Sequence, residues 1–144
     1  MKIFGHPVHL ILIHFPSALF PMDFVCAILA LYTGNNSFNN SGFYAAAGGV
    51  IVGWLAVLTG AADLLVVMKD KPKALNKALL HGSINSTVLI GYTLLAFISF
   101  KHYPELTNDN VLKLVIKGIL IVLLLVGNYF GGSLILKDKV GVNE

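Results

Sequence analysis

The chain has no arginine. All ten of its strong cations are lysines, so the planar fork that grips phosphate or carboxylate through two parallel hydrogen bonds is missing. Nucleic acid is therefore not an expected partner. Charge of either sign is scarce. Charged residues make up 12% of the chain, half of the roughly 25% usual in soluble domains. Hydrophobic residues reach 56% and mean hydropathy is +0.79. That balance excludes a soluble domain and points to a membrane protein. A single cysteine, Cys26, rules out an internal disulfide; placed in an apolar run, it reads as a small core residue. No nucleophile stands at motif spacing from a base, no glycine-rich loop is shaped for phosphate, and no carboxylates are paired, so catalysis is a weak reading.

Long hydrophobic runs are what the chain does have. A span needs about 20 mostly apolar residues to cross a hydrocarbon core roughly 30 Å thick. Four stretches qualify, over residues 7–33, 43–68, 74–100 and 111–136. They predict an all-α, integral membrane four-helix bundle forming one domain over 1–144. The first run contains His14, Pro16, Pro21 and Asp23, which suits a retained helix better than a cleaved signal. Pro16 and Pro21 should kink it or release carbonyls. GNNSFNNSG, KDKPKALNK and KHYPELTNDN separate the runs, each with turn or breaker chemistry.

Lysine placement predicts orientation. Lys2, Lys69, Lys71, Lys73, Lys77, Lys137 and Lys139 fall on the side of the termini and middle loop, against Lys101, Lys113 and Lys117 on the other. The positive-inside rule then puts both termini and the middle loop in the cytoplasm. Lys113 and Lys117 open the last helix, where they are expected to snorkel outward or to belong to a short interfacial extension.

Small residues recur at helical spacing in the second run as Ala45, Gly49, Gly53, Ala56 and Gly60, with Asp63 on the same face. The last run carries Gly127, Gly131 and Gly132. Such faces let helices approach closely, or leave room for a flat cofactor.

Ionisable residues inside a membrane are costly and tend to mark a site. At 1.5 Å per residue, His14, Asp63, His81 and Asn128 come to similar depths near the cytoplasmic side. His81 shares a face with Asn85, Val88, Tyr92 and Ser99, and His14 with Ala18 and Pro21. His6 and His9 sit nearer the interface, and His102 lies in the opposite loop. Two inward imidazoles on different helices are how bundles hold haem iron or another metal. His14 and His81 are then the expected axial ligands of a b-type haem, with Asp63 orienting one ring and His6, His9, Asn85 and Asn128 nearby. His6, His9 and His14 also offer copper or zinc ligands from one helix end. The plainer reading is that the histidines bond to carbonyls freed at the prolines and to Asp63, locking helices together.

The opening GHPVHLILIHFPSALF, the GAAD at 60–63, ALLHGSIN around His81 and the close GNYFGGSLILKDKVGV together resemble the bacterial membrane family filed as domain of unknown function 2231. In that family the opening usually reads HPxHPxLVHFP and a histidine precedes the final GVGV. Here Leu10 replaces the second proline and Lys139 stands where that histidine would be. The resemblance implies a four-helix membrane protein, sometimes joined to Rieske-type iron–sulfur domains, with His6, His9, His14, Asp63 and His81 at motif positions. Three functions follow as expectations: a haem-binding electron-transfer protein or redox-complex subunit; a cofactor-free accessory subunit held by lipid and partner helices or as a homo-oligomer; and proton or metal-ion transport.

Overall fold

The computed structural model describes residues 2–3 and 6–140, with side chains from Val8 onward except those of Val66 and Met68. A two-residue antiparallel pair, β1 (Lys2–Ile3) with β2 (His6–Pro7), precedes five helices: α1 (Val8–Leu12), α2 (His14–Thr33), α3 (Asn36–Asp70), α4 (Leu75–Phe100) and α5 (Val111–Leu136). Four spans, with α1 and α2 forming the first, are long and apolar enough to cross a membrane.

The first span breaks at Ile13. A proline ring clashes with the carbonyl four residues before it, and for Pro16 that residue is Leu12, the last of α1. Ser17 repairs part of the damage by donating its hydroxyl to the Ile13 carbonyl at 2.7 Å. Pro21, by contrast, is carried within α2.

The Asn-rich segment is not the loop expected of it. Only Gly34 and Asn35 separate α2 from α3. Gly34 closes α2 at φ 64°, a left-handed conformation that suits glycine. The Asn35 side chain then accepts from the Ser37 amide at 3.0 Å, which makes it an N-cap. Asparagine here starts a helix and does not prolong a turn. A 3₁₀ turn begun by Pro72 leads into α4, and Asn110 caps α5 by accepting from Lys113 N at 2.9 Å.

The helices neighbour one another in the ring α2, α3, α4, α5. The core on their midline contains Phe20, Ala46, Val88, Leu89, Tyr92, Leu120 and Leu124. At its centre the Phe20 and Tyr92 rings stack in parallel, 3.9 Å apart at 3°. Outward faces carry Ile51, Leu58, Leu65, Val122 and Leu125, all more than half exposed. A bundle that is apolar on its outside is solvated by lipid. The C-terminal end is tied down as well: Lys71 Nζ donates to the carbonyls of Asp138 and Lys139 at 3.1 and 2.7 Å, and Lys77 pairs with Asp138.

Candidate functional site

His9 and His81 meet across the bundle. Their ring centres are 6.4 Å apart and the planes cross at 84°. His9 Nδ1 lies 2.9 Å from the Ala56 carbonyl on α3, and His81 Nδ1 lies 2.8 Å from the Gly127 carbonyl on α5. A carbonyl only accepts, so each Nδ1 carries the hydrogen, and in the neutral ring each Nε2 keeps a lone pair. Asn85 Nδ2 donates to the His81 carbonyl at 3.0 Å. Its 3.1 Å approach to His81 Nδ1 is then a contact between two hydrogen-bearing nitrogens and not a bond.

Glycine makes room for each ring. A Cβ on Gly60 would fall 2.8 Å from His9 Cε1, one on Gly131 2.6 Å from His81 Cε1, and one on Gly127 2.5 Å from Asn85 Nδ2. In both hairpins the histidine bonds to a carbonyl and rests against the glycine four residues further along the same helix. Gly132, next to Gly131, has nothing within 4 Å of such a Cβ.

The two arrangements repeat. His81 follows His9 by 72 residues, and Tyr92 follows Phe20 by 72. The glycines and carbonyls on the partner helices are 71 residues apart. The pair α1/α2 with α3 is thus matched by α4 with α5. Equivalent residues face one another at two heights on the midline, so the pseudo-two-fold axis runs along the bundle. Parallel repeats of this kind are a recurrent plan in membrane proteins.

Both histidines border a cavity of about 390 Å³ that also meets Phe20, Asn85, Val88 and Asn128. Asn128 donates to Ser17 Oγ at 3.1 Å on its wall. The cavity opens between α3 and α4, where its lining residues Ala61, Leu79, Gly82 and Ser83 are exposed.

His14 is not in this site. It lies on the exposed face of α2, while Ile13, Pro16, Ser17 and Phe20 turn toward the cavity. Ile13 keeps helical φ/ψ of −63° and −20°, so at 100° per residue His9 shares a face with Ile13, Pro16 and Phe20 while His14 falls about 140° away, and it is His9 that faces His81. Asp63 is half-buried one turn past Gly60; backbone carbonyls, and not its carboxylate, take the Nδ1 hydrogens of the two rings. The side chain of His6 lies outside the described residues. His102 Nδ1 bonds to the Ile98 carbonyl at 2.9 Å at the far end of the molecule. Among the described residues no group of three or more His, Cys, Asp or Glu is placed to hold a metal ion.

A family model described as "Predicted membrane protein (DUF2231)" matches residues 5–144. The chain belongs to this DUF2231 family. No curated protein and no solved structure matches it. In this DUF2231 chain the histidine seats fall within the opening, GAAD, ALLHGSIN and GNYFGG motifs, so those motifs build one cavity.

A second polar cluster went unseen in the sequence. Lys117 is buried, not snorkelled. It donates to Asp23 Oδ1 at 2.8 Å and pairs with Asp109 Oδ2 at 2.6 Å. The partners are 94 and eight residues away; only the burial cost of a lysine in mid-run hinted that a counter-charge had to exist.

Proposed function

We propose that this protein binds a b-type haem in the cavity between α3 and α4, where His9 and His81 would hold the iron, and serves as a small electron-transfer protein or a subunit of a membrane redox complex. The observation that carries the reading is the spacing of the two imidazoles. One metal ion would reach a nitrogen of each ring with bonds of about 2.0 Å, because the ring centres of His9 and His81 stand 6.4 Å apart. The donor chemistry agrees: each Nδ1 is held by a backbone carbonyl, which fixes the tautomer that offers Nε2 to iron and makes the ring a better donor. Glycine seats on two helices keep the rings from turning away. The walls are mostly apolar, with Ser17, Ser83, Asn85, Ser86 and Asn128 as polar points beside the histidines, in keeping with sites that hold a large flat cofactor. Bound haem supplies reversible one-electron transfer. The side opening gives a molecule of low polarity a way in from the bilayer.

Protein produced with ample haem is expected to show a Soret band and a pyridine haemochrome. His9→Ala and His81→Ala should each abolish both, whereas His14→Ala should leave them intact. A folded, colourless protein refutes the reading, and loss of the spectrum in His14→Ala with retention in His9→Ala refutes the ligand assignment.

A further inference from the structure

The end of the bundle opposite the histidines holds the cluster of Asp23, Lys117 and Asp109. The side chains of Asp23 and Lys117 are only 4% and 9% exposed. Lys117 serves both carboxylates, and Lys113 reaches Asp109 Oδ1 at 3.5 Å from a more exposed position. The second oxygen of Asp23, Oδ2, is buried without a hydrogen-bond partner among the described residues. Asp23 borders a cavity of about 30 Å³ together with Asn39, Ser99, Thr107, Asp109 and Lys117, space for a water or two. Gly42 makes way for the carboxylate: a Cβ there would fall 2.9 Å from Asp23 Oδ1.

Charge counting gives this geometry its meaning. One buried ammonium faces two carboxylates, and Lys113 shares only the outer one. Lys117 divides its hydrogen bonds between both carboxylates, which leaves the buried Oδ2 of an ionised Asp23 without a donor, a cost that a proton on that oxygen turns into a hydrogen bond toward the cavity. The fold itself does not demand the pair. Across the pseudo-two-fold axis, Asp23 corresponds to Leu95 and Lys117 to Ala46; Ala46 belongs to the apolar core and Leu95 packs against it. The polar version was placed in one half only.

We infer that Asp23 is a proton-binding site: its free oxygen accepts a proton to form a carboxylic acid and returns it to water by way of the small cavity and Asp109. Lys117 holds the other oxygen and so fixes which one exchanges. The titratable groups around Asp23 are Lys117 on α5, with Lys113 behind Asp109; Asp109 itself, in the connection before α5; Tyr92 on α4; and Cys26 on its own helix. The wall from α3 contributes Phe38, Asn39, Gly42, Phe43 and Ala46, none of which titrates. This inference does not depend on haem binding.

The test is infrared difference spectroscopy of the full chain, free of haem, in phosphatidylcholine nanodiscs titrated from acid to alkaline pH. A protonated-carboxyl C=O band that shifts in heavy water is expected. Asp23→Asn should remove it, and Asp138→Asn should not. Asp109→Asn should keep the band and move its titration to lower pH, because the competing carboxylate on Lys117 is gone. Absence of the band, its survival in Asp23→Asn, or an unshifted titration in Asp109→Asn overturns the assignment. So does a band that follows sodium concentration at fixed pH, which would make the cluster a cation site. If Asp23→Asn does not fold, the Asp109→Asn shift still decides.

Discussion

The imidazole of His9 stands edge-on to that of His81 across the midline, and each ring is fastened by Nδ1 to a carbonyl on the next helix, Ala56 for one and Gly127 for the other. Neither ring can be moved without breaking a hydrogen bond in an apolar setting. That makes the glycines behind them sensitive positions.

Gly131→Ala should therefore disturb the site where Gly132→Ala does not. The first places a methyl 2.6 Å from His81 Cε1, and the second meets nothing within 4 Å. Overpacking of this kind costs about 1–3 kcal/mol, whereas an open helical glycine changed to alanine gains up to about 1 kcal/mol. Thermal unfolding in detergent should lower the midpoint for Gly131→Ala alone, and haem content after supplementation should fall with it. Equal midpoints in the two variants would contradict the seating of His81.

The Phe20–Tyr92 stack separates into ring and hydroxyl. Tyr92 donates to the Phe20 carbonyl at 3.2 Å, so Tyr92→Phe should cost about 1 kcal/mol. Tyr92→Ala removes a ring that is fully buried and should cost about 3–5 kcal/mol. Chemical denaturation in mixed micelles distinguishes them; a large loss for Tyr92→Phe would mean that the hydroxyl, and not the ring, organises the midline.

Removing one partner of a buried ion pair is worse than removing both. Lys117→Met leaves Asp23 unpaired and should destabilise by about 3–5 kcal/mol. Lys117→Met combined with Asp23→Leu should recover most of that loss, because Leu95 and Ala46 already fill the equivalent places. A double variant no more stable than the single lysine change would count against the equivalence of the halves.

Orientation can be read from fusions. With Lys69, Lys71, Lys73, Lys77, Lys137 and Lys139 gathered at one end, the positive-inside rule puts that end in the cytoplasm. A fluorescent protein fused after residue 144 should be bright, and alkaline phosphatase inserted at residue 105 should be active. The reverse pattern would invert the topology.

Much of the fold was legible because it rests on period and length. Four apolar runs, the inward face of His81, Asn85, Val88 and Tyr92, and the small-residue stripe ending at Gly60 all follow from 3.6 residues per turn. The start of α3 was not, because asparagine suits turns and N-caps alike, and Asn35 settles the matter through its bond to Ser37 N. The stripe of His14 and Ala18 expected to face inward is exposed. The stripe that is buried runs through Phe20, Asp23, Ala27 and Ala30, and at 100° per residue His9, Ile13 and Pro16 continue it toward the start of the span. The link between Asp23 and Lys117 depends on how α2 packs on α5, which no local pattern encodes.

The repeated seat has a consequence for how such a molecule can be built. A hairpin of half this length, carrying one histidine, one accepting carbonyl and one glycine a turn beyond it, would assemble both halves of the cavity simply by pairing with an identical copy about the bundle axis. Joining two copies in one polypeptide adds something self-pairing cannot supply: freedom to change one side alone. Asp23 and Lys117 against Leu95 and Ala46 are that freedom in use, a cluster that an identical pair would have been forced to carry twice.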